Sequence, residues 1–426
     1  MAKIYPVLLK MKNILCILLV VSSIACFGQQ NADYDRILER FRVHFNKLEV
    51  DSAYDMLSVR VRAMIAAEKF SESLKSVYAK YGELQSLNFK ERNDILMSYR
   101  AKYEKGLLEL MVAFDSTGKF TTLRFLPATP KKDSVDPSDY RLDTKTGKIY
   151  GTLSMPEITK PVPVVLWIAG SGPTDRDGNS AMGYRTDAYK MMADSLRQHG
   201  IACLRFDKRG VGESANAMWN QAKFTLDDYV SDAVDFIDQL SKDKRFSKII
   251  LAGHSEGSLI GILAAQKTSV GAFISIAGAG ERADWVMLNQ MQEQNPSIVP
   301  KAEKMFDSLL RGYELKSIDP DLKMYFNVSI QAYMRSWFRY DPAKEIAKLK
   351  IPVLILQGST DIQVHVSDAE NLAKASPNAK EEVIMGMNHI LKNAPYDRQA
   401  NMATYNNPAL PLSAELVKDI VLFVNQ

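Results

Sequence analysis

Residues Ile250 to Leu259 read ILAGHSEGSL, and the reading of this stretch decides the fold. An apolar run ends on Ser255, held between Gly253 and Gly257, and the helix-like stretch LIGILAAQ (Leu259 to Gln266) follows at once. A serine nucleophile on a strained strand-to-helix turn needs small residues around it, because the turn is tight and a neighbouring strand presses close. The bare G-x-S-x-G pattern also arises by chance, and by itself it describes only a strand, a turn and a helix. If Ser255 is a nucleophile, an acid, a base and an oxyanion site must lie elsewhere in the chain.

Outward from the elbow, apolar runs recur at the spacing of alternating strands and helices. They are VPVVLWIAG (162–170), IACLRF (201–206), KIILAG (248–253), GAFISIAG (271–278), PVLILQG (352–358) and EEVIMG (381–386). Most are continuously apolar, as parallel strands covered on both faces must be. Helical stretches are expected at 186–199, 225–241, 257–268, 366–375 and 413–424. The pattern predicts an α/β fold with a doubly wound, mostly parallel sheet whose strand C-termini gather at one edge, where ligands bind. The helix-rich, aromatic segment of about 281–349, with Trp285, Tyr333, Trp337, Phe338 and Tyr340, interrupts the rhythm and is expected to cap that edge.

The partners of the serine are sought in the order Ser, Asp/Glu, His. Asp361, in VLILQGSTDIQV, lies just past a buried run, on a loop where an acid can orient an imidazole; a helix-capping or turn aspartate is the plainer reading. The chain has five histidines. His44 precedes the alternating pattern, His199 ends a helix, His254 adjoins the serine and points away, and His365 begins a helix. His389, in VIMGMNHILK, is the base by elimination and by position. The oxyanion site needs two backbone N–H groups: that of Glu256, directly after the nucleophile, and that of Ser171 in the glycine-bearing loop WIAGSGPTDRDGN. In FDKRGVGES (Phe206 to Ser214), Asp207 and Arg209 are expected to pair locally, and Asp175, Arg176 and Asp177 to shape the rim of the oxyanion loop.

Ahead of this pattern stands a second one. Ala32 to Tyr81 is helical in spacing, with Ile37, Leu38, Phe41, Phe45 and Leu48 on one face and a further helix over 70–81 that stops at Gly82. The runs LQSLNF, ILMSYRAKYE, LLELMVAFD and FTTLRFL then alternate as an antiparallel meander, so residues 29–127 form a small α+β domain. The charged, proline-rich stretch 128–148 reads as a linker, and 149–426 as the second domain.

The chain of 426 residues has 46% hydrophobic and 24% charged residues. Lys10 and Lys12 precede the apolar run Ile14 to Phe27, so residues 1–28 read as an export signal too short to span a bilayer comfortably. The segment is either cleaved after Gly28 or lipidated at Cys26, and the protein is then periplasmic or extracellular. Setting aside its Lys3, Lys10 and Lys12 leaves 51 basic against 50 acidic residues. That balance carries no electrostatic footprint for nucleic acid. Only Cys203 of three cysteines lies outside the segment, so no internal disulfide is expected.

The motifs GHSEG, DKRGVGES, GSTDIQV and MNHI together resemble the α/β-hydrolase superfamily. More narrowly, GSGPTDRDGN and GHSEGS look like bacterial esterases close to the serine aminopeptidase-like hydrolases, in which a small domain often precedes the hydrolase. Ala169 departs from many relatives, which carry a histidine there. The resemblance implies acyl transfer by a Ser255–Asp361–His389 triad, with Ser171 and Glu256 N–H groups holding the oxyanion, on a small-molecule ester and without metal or organic cofactor. Two other readings stay open. One is an aminopeptidase that holds a substrate ammonium on Glu281 or Asp284 of the cap; the other is a non-catalytic binding protein on a hydrolase fold.

Overall fold

The computed structural model describes residues 34–93, 96–127, 138–157, 159–180, 184–218, 220–323 and 325–426. The expected export signal and the lipidation site at Cys26 lie outside these residues. The chain divides after Lys131 into two compact units.

The first unit opens with helices α1 (34–46), α2 (Val50–Asp55), α3 (Val59–Arg62) and α4 (Ala67–Tyr81), the last stopping at Gly82 with φ 75°. Leu38, Phe41 and Phe45 turn one face of α1 into an aromatic core with Tyr103 and Phe120. Burying a side chain of this size contributes roughly 1.5–3 kcal/mol. Leu48 departs from the expected face: the helix stops at 46, and Leu48 is 40% exposed with φ 54°. Strands β1 (Leu84–Asn93), β2 (Leu96–Tyr103), β3 (Gly106–Phe114) and β4 (Phe120–Pro127) pair in order as an antiparallel meander.

The second unit is an eight-stranded sheet with the order β12-β11-β10-β9-β7-β8-β6-β5. Six strands are parallel: β7 (Val162–Ile168), β8 (Ala202–Phe206), β9 (Phe246–His254), β10 (Ala272–Ile276), β11 (Val353–Gly358) and β12 (Lys380–Ile384). Alternate residues of β7 feed two cores. Leu166 and Ile168 pack with α6 (Leu226–Ser241) and α7 (Glu256–Ala265), whereas Val165 and Trp167 pack with α5 (Ala188–Gln198) and α14 (Ala414–Val424). Helix α12 (Val366–Ala375) covers the first face and the short α13 (Arg398–Ala403) follows β12 in the chain.

The expected linker 128–148 needs correction. Antiparallel strands β5 (Asp139–Thr144) and β6 (Gly147–Ser154) extend the sheet beyond β8, so the second unit begins before residue 149. β5 escaped the apolar-run criterion because it is an edge strand. Its Asp139, Arg141 and Asp143 face water, as charges on a natural sheet edge do, while Tyr140 and Leu142 pack inward.

Between β10 and β11 lie α8 (Ala283–Gln294), α9 (Val299–Leu310), α10 (Gln331–Trp337) and α11 (Pro342–Ile346), with a core of their own that includes Phe306, Phe326 and Phe338. From β7 the chain steps to β8 on one side, then returns to β9 on the other and continues outward. The strand order therefore reverses between β7 and β9, and the crevice at their C-termini is where such a sheet binds ligands.

Candidate active site

Ser255 stands at that reversal point, between the end of β9 and the start of α7, with φ 55° and ψ −122°. A non-glycine residue in this region of backbone space is strained and must be held by its surroundings. Here its N–H donates to Ile276 O at 2.9 Å, and the flanking glycines permit the packing. A Cβ on Gly253 would meet the Gly257 carbonyl, and a Cβ on Gly257 would meet the carbonyls of Ile168 and Ala169 at the end of β7. Both positions tolerate glycine alone, which is the physical content of the motif.

Asp361 is fully enclosed on the turn after β11. Its Oδ1 accepts from the N–H groups of Gln363 (2.8 Å) and Val364 (3.0 Å), and its Oδ2 accepts from Gln357 Nε2 (3.1 Å) and His389 Nδ1 (2.8 Å). Burial pushes the carboxyl upward, but the charge and hydrogen bond of His389, with the two backbone N–H groups, outweigh it and hold Asp361 below the usual carboxylate range. An ionised carboxylate only accepts, so His389 Nδ1 carries the proton and Nε2 is left as the basic nitrogen.

The loop bearing His389 is tied down on both sides of the imidazole. Asn388 Nδ2 donates to Asn401 Oδ1 (3.1 Å) and Thr404 Oγ1 (2.9 Å), and Asn388 Oδ1 accepts from Lys392 N (3.2 Å). His389 O accepts from His254 Nε2 at 2.8 Å. His254 was set aside in the sequence as pointing away from the serine; it does, and in doing so it braces the base. Its Nδ1 is 2.8 Å from Tyr189 OH, which in turn accepts from Gly170 N at 3.3 Å. Because the carbonyl can only accept, Nε2–H is the donor, and a neutral ring then takes the Tyr189 proton on Nδ1. Burial, helped by the neighbouring His389, pushes His254 down to about 3, so the ring is neutral at physiological pH. A chain of hydrogen bonds thus runs from the loop after β7 to the loop after β12.

Ser255 follows His254 of that chain of contacts directly in sequence, and the rings of His254 and His389 are 4.8 Å apart. No hydrogen bond joins Ser255 Oγ to His389 directly.

The loop after β7 lies against the elbow: a Cβ on Gly170 would sit 3.1 Å from Ser255 Cβ. Gly170 N–H is engaged by Tyr189, and Gly170 O accepts from Lys208 Nζ at 2.6 Å. Ser171, which follows, is exposed. Glu256 opens α7, so its N–H is among those without an intrahelical acceptor. The Glu256 side chain, unweighed in the sequence, is buried and bonds Lys208 Nζ at 2.7 Å and the hydroxyl of Tyr333 on α10. The expected pairing of Asp207 with Arg209 does not form. Asp207 binds the guanidinium of Arg176 at 2.7 Å, and Arg209 binds Asp232 at 2.6 Å, because the loop after β7 and the helix α6 bring these distant partners to the segment after β8. On α8, Asp284 is 3% exposed and paired with Arg282 at 2.6 Å.

The sequence itself matches the family described as serine aminopeptidase, S33, over residues 181–394, which include Ser255, Asp361 and His389. The chain belongs to the serine aminopeptidase S33 family. It is an α/β-hydrolase, as the strand order and the elbow require. Esterase EstD of Thermotoga maritima is 25% identical over 373 residues, covering 84% of this chain and 88% of that protein. Among solved structures, Est1E from Butyrivibrio proteoclasticus is similar at 20% identity, with a TM-score of 0.43 over 68% of this chain and 99% of that one. Proline iminopeptidase of Mycobacterium smegmatis is similar at 12% identity, with a TM-score of 0.44 over 68% and 98%. The family match begins beyond the small N-terminal unit and beyond Ser171.

Proposed function

We propose that the protein is a carboxylesterase that cleaves short- to medium-chain acyl esters through an acyl-enzyme on Ser255. The observation that carries this reading is the 2.8 Å bond from His389 Nδ1 to a buried, ionised Asp361, with the His389 ring 4.8 Å from that of His254, the residue before the strained Ser255. In this reading His389 Nε2 takes the Ser255 proton as Oγ attacks the ester carbonyl. The tetrahedral oxyanion rests on the N–H groups of Ser171 and Glu256. His389 returns the proton to the leaving alcohol, and a water activated by the same imidazole then releases the acid.

Likeness to an esterase over most of both chains supports ester over peptide as substrate. So does the cap. Asp284, one of two acids expected to hold a substrate ammonium, is already paired with Arg282. A p-nitrophenyl ester chain-length series beside aminoacyl anilides tests the reading. Ester turnover should peak at short to medium chains and fall on the order of 10⁴-fold or more in Ser255→Ala. Turnover of anilides alone would turn the reading towards a peptidase. Absence of both activities, and of an organophosphonate label on Ser255, would leave a binding protein.

We further propose that the protein is exported, as its basic and apolar N-terminal segment suggests. Fractionation of expressing cells, with labelling by a palmitate analogue in wild type and Cys26→Ser, distinguishes a cleaved chain from a lipidated one; retention in the cytoplasm would refute both.

A further inference from the structure

Lys208, at the C-terminal end of β8, is 1% exposed and has no role in the acyl-transfer steps above. An ammonium so deeply buried is costly unless each of its donors finds a partner. It has three: Gly170 O at 2.6 Å, Glu256 Oε2 at 2.7 Å, and the face of Tyr229, whose ring centroid is 4.7 Å away. Its counter-ion Glu256 is held on its other oxygen by the Tyr333 hydroxyl. The ion pair therefore ties two elements that adjoin Ser255, the loop after β7 and the first residue of α7, to the helix α10.

The partner on the loop matters most. Gly170 O and Ser171 N–H belong to one peptide group, and in a trans peptide the two point in opposite directions. A cation that fixes the carbonyl therefore fixes the N–H on the far side of the same plane. Gly170 N–H is already taken by Tyr189, so the next free donor on this loop is the one Lys208 aims. Ala169, Gly170 and Gly172 have no side chain that can form a hydrogen bond, and Thr174 Oγ1 donates to the next peptide, at Ser171 O (3.2 Å), not to Gly170 O.

We infer that Lys208 is a positioning residue which, held by Glu256, sets the Gly170–Ser171 peptide so that the Ser171 N–H faces the oxyanion formed at Ser255. This rests on the esterase reading. Because the oxyanion exists only in the tetrahedral state, Lys208 acts on kcat and hardly on KM. Loss of its hold should cost about 100-fold in kcat, the scale of a misplaced or missing oxyanion donor.

The test uses the full chain and two variants, Lys208→Met and Lys208→Met with Glu256→Gln. The double variant removes both charges, so no uncompensated carboxylate stays buried. Steady-state ester kinetics are read beside the inhibition constant of an alkyl boronic acid, which adds to a serine hydroxyl as a tetrahedral anion. The expected result is a fall in kcat and a weakening of boronate binding, each about 100-fold, with KM within threefold of wild type and the double variant folded. A folded double variant with wild-type kcat and boronate affinity overturns the proposal. A double variant that fails to fold overturns it equally, since Lys208 would then serve the fold and not the peptide. A wild-type chain with neither ester turnover nor boronate inhibition sinks the esterase reading instead, and the proposal with it.

Discussion

Replacing His254 with glutamine should change how the stability of the hydrolase unit depends on pH. The ring is buried and gives its Nε2 proton to His389 O and its Nδ1 lone pair to Tyr189, so the folded protein has no room for a second ring proton. Its pKa is pushed from 6.5 down to about 3 in the folded state. An unfolded chain recovers the ordinary value. Between those two values the unfolded state binds one proton more, so stability rises with pH across the window and is lost as pH falls. At pH 5 the unfolded state gains about 2 kcal/mol from this one ring, and at pH 7.5 almost nothing. All four tryptophans, at 167, 219, 285 and 337, belong to the second unit, so selectively excited tryptophan fluorescence in urea reports that unit. Between pH 7.5 and 5.0, wild type should lose about 2 kcal/mol more than His254→Gln. The variant starts from a lower stability, because it leaves polar groups of the brace unpaired, but its slope with pH should be shallower. Equal slopes within about 0.5 kcal/mol would refute the argument that burial keeps this ring neutral.

Two other outcomes test the frame around the site. Gly257→Ala would drive a methyl into the carbonyls of Ile168 and Ala169, backbone that cannot yield without lifting α7 off β7. The variant should lose about 3 kcal/mol by urea denaturation together with its ester turnover, and unchanged stability would contradict the packing described. A chain begun at residue 149 removes β5 and with it Tyr140 and Leu142 from the core, leaving β6 as a bare edge. It should elute as aggregate in size-exclusion chromatography, whereas a chain begun at 138 should be monodisperse; equal behaviour would place the boundary where the sequence suggested.

The legible and illegible parts of this protein divide along one physical line. Strands β7 to β11 were readable because a parallel strand covered on both faces must be apolar along its length, and their runs stand out without reference to any partner. The elbow was readable for a similar reason: the tight turn at Ser255 leaves room only for glycine at 253 and 257. Asp361 and His389 followed from their order after successive strands. β5 was missed because an edge strand needs only alternate residues inside, and its outward charges resemble a linker. Leu48 was misread because periodicity does not say where a helix stops.

What joins those parts depends on residues far apart in the chain, and no local pattern predicts it. Lys208 meets Glu256 across 48 positions, and His254 meets the carbonyl of His389 across 135. In sequence, Lys208 is one more cation beyond a strand and His254 merely a neighbour of the serine. The sequence alone determined the buried strands and the glycine-flanked turn at Ser255, because local space and burial dictate those residue types. The tertiary structure alone decided which buried polar groups satisfy one another, and thereby how the loop after β7 and the loop bearing His389 are held. That outcome depends on the desolvation each unpaired group would suffer, a cost that exists only once the sheet has closed around them.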